Sequence, residues 1–160
     1  MDYLFSPWRY QYVTTAEQAT GCIFCDLPAE HRDRENFIVY RGRFNFVILN
    51  RFPYTSGHLM VVPYVHVPTL EKLCDDTLGE LIRLVRQAEI HLRAAYQPDG
   101  FNMGINLGKA AGAGVAGHLH MHVLPRWVAD ANFMTTVGET RVLPEDLELT
   151  YDKLARAWSQ

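Results

Sequence analysis

The sequence predicts an α+β domain whose sheet is antiparallel. Short apolar stretches at 37–41, 44–50, 58–63, 101–107 and 117–125 are set apart by Gly, Pro and Asn, the punctuation of strands. One longer stretch, from Asp75 or Asp76 to about Tyr96, places its apolar residues at helical spacing instead. The order of elements is hairpin, strand, helix, strand, strand, helix, which lacks the regular alternation of a parallel α/β sheet.

Each element has its own reason. Residues 37–41 and 44–50 flank a short turn containing Gly42 and read as a hairpin. Residues 51–57 (Arg-Phe-Pro-Tyr-Thr-Ser-Gly) are a loop, and 58–63 (His-Leu-Met-Val-Val-Pro) a third strand. In the long helix Leu78, Leu81, Ile82, Val85, Ala88, Leu92 and Ala95 mark the buried face, with an Asp at the start as cap. Pro98-Asp99-Gly100 ends it, and 101–107 is a fourth strand. A last helix is expected over 144–158, with acidic residues in its first turn where they suit the helix dipole. Residues 1–20 are aromatic and polar without a clear period. Their Ser6-Pro7-Trp8-Arg9-Tyr10 reads as an arm lying on the body or on a partner subunit. The whole is expected to be one domain over 1–160, with the arm at 1–20, a core at 21–127 and a C-terminal extension with a helix at 128–160.

Composition narrows the function. A chain of 160 residues fits a single domain and buries roughly 68–70% of its unfolded surface. Its 48% apolar and 21% charged residues are ordinary for a globular protein. The net charge of -3 offers no basic footprint for a nucleic-acid polymer, so phosphate binding must be local. No apolar run approaches the roughly 20 residues of a membrane span, and the N-terminus lacks a signal-peptide pattern. Three cysteines make no disulfide framework, and the cytoplasm is the expected compartment.

The most informative segment is Gly117-His118-Leu119-His120-Met121-His122-Val123-Leu124-Pro125. In extended chain His118, His120 and His122 share one face, while Leu119, Met121 and Val123 share the other. Three imidazoles in a row are costly to bury without partners, so the row is a site. It can be a metal centre like those of His-x-His hydrolases, but such sites usually add carboxylates, and no Asp or Glu lies between Asp99 and Asp130. It can instead supply a nucleophile toward phosphorus. The adjoining small-residue loop at 108–117 favours this second reading, because its glycines allow backbone N–H groups to converge on an anion.

The pattern His118-φ-His120-φ-His122-φ-φ, with φ apolar, resembles the signature of the histidine triad (HIT) superfamily of nucleotide hydrolases and transferases. The likeness extends to 46–51 (Phe-Val-Ile-Leu-Asn-Arg), to 57–63 beginning Gly57-His58, and to Cys22-Ile23-Phe24-Cys25, and it spans about 21–127. It implies a HIT-like fold: a five-stranded antiparallel sheet with one long helix and a C-terminal helix. It also implies a homodimer in which the long helix and the strand after it pair into a ten-stranded sheet. Asn50-Arg51-x-Pro53 and Pro125-Arg126-Trp127 lean toward the fragile-histidine hydrolases and the diadenosine tetraphosphate phosphorylases. The resemblance thus implies an enzyme acting on dinucleoside polyphosphates, with water or phosphate as acceptor. The alternatives within the family are a purine nucleoside phosphoramidase and a catalytically idle nucleotide-binding module.

Carried over residue by residue, the resemblance makes His120 the nucleophile that forms a nucleotidyl-histidine intermediate. His122 contacts phosphate oxygens, the carbonyl of His118 sets the tautomer of His120, and His58 supports the triad from the neighbouring strand. Asn50 takes the ribose, while Asn106 and the backbone of Gly112, Ala113, Gly114 and Val115 line the phosphates. Lys109 and Arg51 could reach distal phosphates, but a solvated surface charge is the preferred reading of each. This chain departs from many relatives in having no Ser, Thr or Gln just before the triad, where Ala113-Gly114-Val115 stands. The same resemblance completes the Cys22-x-x-Cys25 half-site with His66 and His118, a closed Cys2His2 set that implies a structural zinc and no organic cofactor. Two ordinary buried thiols are the rival reading. Cys74 is read as a small residue near the helix start, and His31 and His91 as facing solvent.

Overall fold

A computed structural model describes residues 21–128, 130 and 145–159. The expected arm and Pro144 lie outside the described residues. In chain order the elements are α1 (Ile23–Ala29), β1 (Ile38–Arg41), β2 (Asn45–Leu49), β3 (Leu59–Pro63), α2 (Asp75–Tyr96), β4 (Gly100–Ile105), β5 (Met121–Arg126) and α3 (Leu147–Trp158). Short 3₁₀ turns occur at Leu70–Lys72 and Lys109–Ala111. The five strands form one antiparallel sheet in the order β1-β2-β3-β5-β4.

Strands β2 and β3 are buried at every position, which is why they read as nearly continuous apolar runs. Their alternate side chains nevertheless enter two different cores. Val47, Leu49, Leu59, Val61, Leu119 and Val123 meet Leu81, Val85, Ala88 and Leu92 of α2 and Leu154 of α3. Phe46, Ile48, Met60 and Val62 point the other way, onto Phe24 of α1. The register pairs Leu59 with Val123 and Met60 with His122, so the histidines lie on the α1 side. One face of the sheet is a helix-covered core; the other carries the site.

The hairpin is tied to α2 by a single carboxylate. Glu80 accepts the amides of Arg43, Phe44 and Asn45 at 2.7–2.8 Å and the Asn45 side-chain amide at 2.8 Å. Burial pushes its pKa up, but these hydrogen bonds together outweigh that and hold it below the ordinary carboxylate value. Helix α2 ends in a left-handed residue, Gln97, whose amide closes onto the Arg93 carbonyl at 3.0 Å. Helix α3 starts from Asp146, which accepts the Leu149 amide at 2.8 Å.

Several expectations are corrected. Helix α1 falls where the sequence predicts no element. Strand β4 covers Gly100–Ile105 rather than 101–107, and α3 starts at Leu147 rather than 144. Ladder pairing in β5 begins only at Met121, so His118 and His120 sit in the extended approach to it. Their alternation survives because the Leu119 amide bonds the Val67 carbonyl at 2.7 Å and its side chain is buried. Ile82 is 58% exposed, and Leu84 takes its place in the core. His91 is half-buried against Trp158, ring centroids 4.4 Å apart, while His31 is exposed and Cys74 caps α2 as an exposed residue. Among the described residues no helix is long and apolar enough to cross a membrane.

Candidate active site and metal centre

The triad strand, the loop before it, β3 and α1 enclose a cavity of about 290 Å³. Its apolar wall is Ile23, Phe24, Leu27, Ile48 and Met60; Asn50, Asn106, Gly112, Gly114, Val115, His120 and His122 supply polar atoms. That is the makeup of a small-molecule site: an apolar slot with a few converging polar groups.

The tautomers of its histidines follow from their partners. His120 Nδ1 lies 2.8 Å from the His118 carbonyl, which only accepts, so Nδ1 carries the proton and Nε2 keeps its lone pair. Burial also holds His120 below its ordinary pKa, although the bond to His118 pulls the other way. The neutral ring packs at a tilt against Phe24, centroids 4.9 Å apart. His58 is set from the opposite end. The Tyr54 amide reaches His58 Nδ1 at 3.2 Å, and a backbone N–H can only donate. His58 therefore carries its proton on Nε2 and donates it to His122 Nδ1 at 2.9 Å. His122 in turn holds its own proton on Nε2. A neutral nucleophile and a neutral donor thus stand side by side, ring centroids 4.9 Å apart.

Other expected residues are distributed as follows. Asn50 is buried, with Nδ2 3.3 Å from His58 Nδ1 and Oδ1 accepting the Phe52 amide at 3.0 Å. Gly57, with φ +77°, precedes His58 where a Cβ would fall 2.9 Å from Leu92, so glycine is required there. In the loop, Gly108 and Gly112 take positive φ, and the amides of Ala111, Gly112 and Ala113 close onto Gly108 and Lys109. The cradle therefore narrows to the stretch from Gly114, and Ala113 is buried outside the cavity lining. Arg51 lines the rim, its guanidinium bonded to the Glu35 carbonyl at 3.2 Å and lying over Phe37. Lys109 is exposed in the 3₁₀ turn.

The His118 ring points away from the cavity, into a second cluster. Its Nε2 lies 2.8 Å from the Pro63 carbonyl, which turns Nδ1 toward Cys22 Sγ at 3.2 Å and Cys25 Sγ at 3.6 Å. His66 Nδ1 is 3.3 Å from Cys25 Sγ. All four ligand atoms lie within 4.8 Å of one another, and two thiolates with two imidazoles are the donor set of a tetrahedral metal with no open position. The Nε2–H to carbonyl bond is the outer partner such a ligand histidine takes. Burial first, and then Cys22 and Asp26, push the Cys25 thiol up to about 11; a cation between the sulfurs reverses that.

The HIT domain family matches residues 31–128, well over half of the chain. This chain belongs to the HIT family. It is 39% identical to AP-4-A phosphorylase of Mycobacterium tuberculosis over 98% of this chain and 84% of that protein. It is 32% identical to the asymmetrical bis(5'-nucleosyl)-tetraphosphatase of Schizosaccharomyces pombe over 58% of this chain and 50% of that protein. Among solved structures, a zinc-bound histidine triad family protein from Mycobacterium smegmatis superposes with a TM-score of 0.71 at 28% identity, covering 88% of this chain and 94% of that one. Membership of this family and the names of these two relatives support a nucleotide hydrolase or transferase.

Sequence reasoning missed α1 and with it Ile23, Phe24 and Leu27, the apolar wall of the cavity. Their spacing is helical, but a seven-residue helix containing Pro28 carries too short a signal. Asn36 and Tyr54 were also unmarked, and nothing local distinguishes them.

Proposed function

We propose that this protein cleaves dinucleoside polyphosphates of the diadenosine tetraphosphate type through a nucleotidyl intermediate on His120. The observation that carries the reading is the 2.8 Å contact between His120 Nδ1 and the His118 carbonyl, which leaves Nε2 unprotonated at the cavity wall. In the first step Nε2 attacks the α-phosphorus, forming the N–P bond as the bond to the bridging oxygen breaks and the remaining nucleotide departs. His122 Nε2–H donates to a non-bridging oxygen as charge builds there, with its tautomer held by His58. Water or inorganic phosphate then attacks the same phosphorus, the N–P bond breaks, and His120 returns to its starting state. Asn50 and Asn106 hold the ribose and the phosphate chain, and the backbone from Gly114 to Val115 meets phosphate oxygens. The name borne by the mycobacterial relative supports phosphate as an acceptor.

The reading includes a structural zinc on Cys22, Cys25, His66 and His118. Bound there, the metal supplies crosslinking only: it joins the start of α1 to the segments after β3 and before β5. It includes a cytoplasmic homodimer formed through α2 and β4, which leave Ile82, Ile90 and Met103 exposed. The deciding experiment is turnover of diadenosine tetraphosphate with and without inorganic phosphate, with a rapid acid-free quench of radiolabelled substrate. Protein-bound label that vanishes in His120→Asn supports the covalent route. Turnover with no protein-bound label at any time rules it out.

A further inference from the structure

At the end of the cavity bounded by α1 stands a buried amide that the proposed chemistry does not use. Asn36 is 5% exposed and lines the cavity beside Leu27 and Ile48. Its Nδ2 donates to the Leu27 carbonyl at 3.1 Å and to Glu30 Oε2 at 2.8 Å. Both partners are acceptors, so the amide has one orientation and its two N–H groups are occupied. Among the described residues no donor reaches Oδ1. With both N–H groups held by the protein, Oδ1 is the part of this amide left for the cavity, where solvent or a ligand supplies the donor.

The wall around it is apolar: Ile23, Phe24, Leu27, Ile48 and Met60. Such a slot takes a planar ring, and its only demand for polarity at this end is one N–H. We infer that Asn36 is a specificity residue for the base, its Oδ1 accepting a hydrogen bond from the exocyclic amino group of an aminopurine such as adenine. The inference rests on the nucleotide reading above and deepens it by naming the residue that reads the base. Glu30 and the end of α1 act as positioning groups, because they hold the Asn36 amide in the orientation that presents oxygen.

The test needs no turnover. Binding of AMP and of purine riboside 5'-monophosphate, which differs only by lacking the amino group, is measured by calorimetry on the wild-type protein. AMP should bind about tenfold more tightly, as expected when a buried acceptor gains or loses its donor. In Asn36→Leu, checked for native circular dichroism, the two ligands should bind alike; Asn36→Ser is read the same way if the leucine does not fold. Equal binding of both ligands by the wild type overturns the inference and leaves the nucleotide reading standing. A variant that weakens both ligands equally, keeping their ratio, shows a structural role alone and overturns it too. If neither ligand binds, the nucleotide reading itself fails, and this inference with it.

Discussion

His118 serves His120 with its backbone and the metal cluster with its ring. Its carbonyl lies 2.8 Å from His120 Nδ1, while its own Nδ1 lies 3.2 Å from Cys22 Sγ. One residue therefore sets the tautomer of the proposed nucleophile and belongs to the Cys/His cluster at the start of α1. His118→Ala keeps the backbone carbonyl but loses the ring bonds to Pro63 and the thiols that hold this segment in place. It should therefore lower stability and activity together, whereas His66→Ala, which leaves those bonds in place, should lower thermal stability first. Melting curves and kcat/KM on both variants check this.

His120→Asn should lower kcat by roughly 10⁴-fold or more, the scale of losing a covalent nucleophile, while nucleotide binding and the melting temperature stay close to wild type. Steady-state kinetics and calorimetry read the two quantities separately. Near-normal turnover would show that another group attacks phosphorus.

The pH profile follows from the same ring. Burial lowers the His120 pKa from the ordinary 6.5, so the protonated, non-nucleophilic form accumulates only below that pH. The acid limb of kcat/KM should therefore lie below pH 6.5, with activity level above it. A limb centred above 6.5 contradicts the assignment of the titrating group.

Metal analysis of protein purified without chelators should give about one zinc per chain. Because the Cys25 thiol is held at about 11 without a cation, binding must displace its proton, and affinity should fall as pH falls. Cys22→Ser should lower the melting temperature by roughly 5 °C or more. A metal-free protein with an unaltered Cys22→Ser melt removes the structural role.

Glu80 offers a test of the fold that is independent of the site. Its folded pKa is below the ordinary 4.5, so its contribution is fully present above about that pH and is lost as pH falls through the lower folded value. Glu80→Gln should cost about 1–3 kcal/mol at neutral pH and flatten the acid side of the stability curve. Denaturant midpoints between pH 3 and 7 would show it.

The part of this protein legible from the chain alone is the part written in local periodicity. The alternation at 118–123 is enough to separate a histidine face from an apolar face, because side chains in extended chain alternate whether or not the ladder has begun. The long spacing in α2 is enough for a helix, although not to decide between Ile82 and Leu84 for the core. Cys22-x-x-Cys25 and the triad pattern carry the resemblance that named His66, His58 and Asn50. Tertiary structure alone decided what depends on residues distant in the chain. It brought four metal-ligand atoms within 4.8 Å of one another, turned the His118 ring away from the cavity, and laid α1 over the histidines. It also placed Asn36 beside the apolar residues of α1 in the cavity wall. Tautomers and unmet acceptors are set by which donor lies opposite, and a donor 64 residues away, as His58 is from His122, leaves no trace in local pattern.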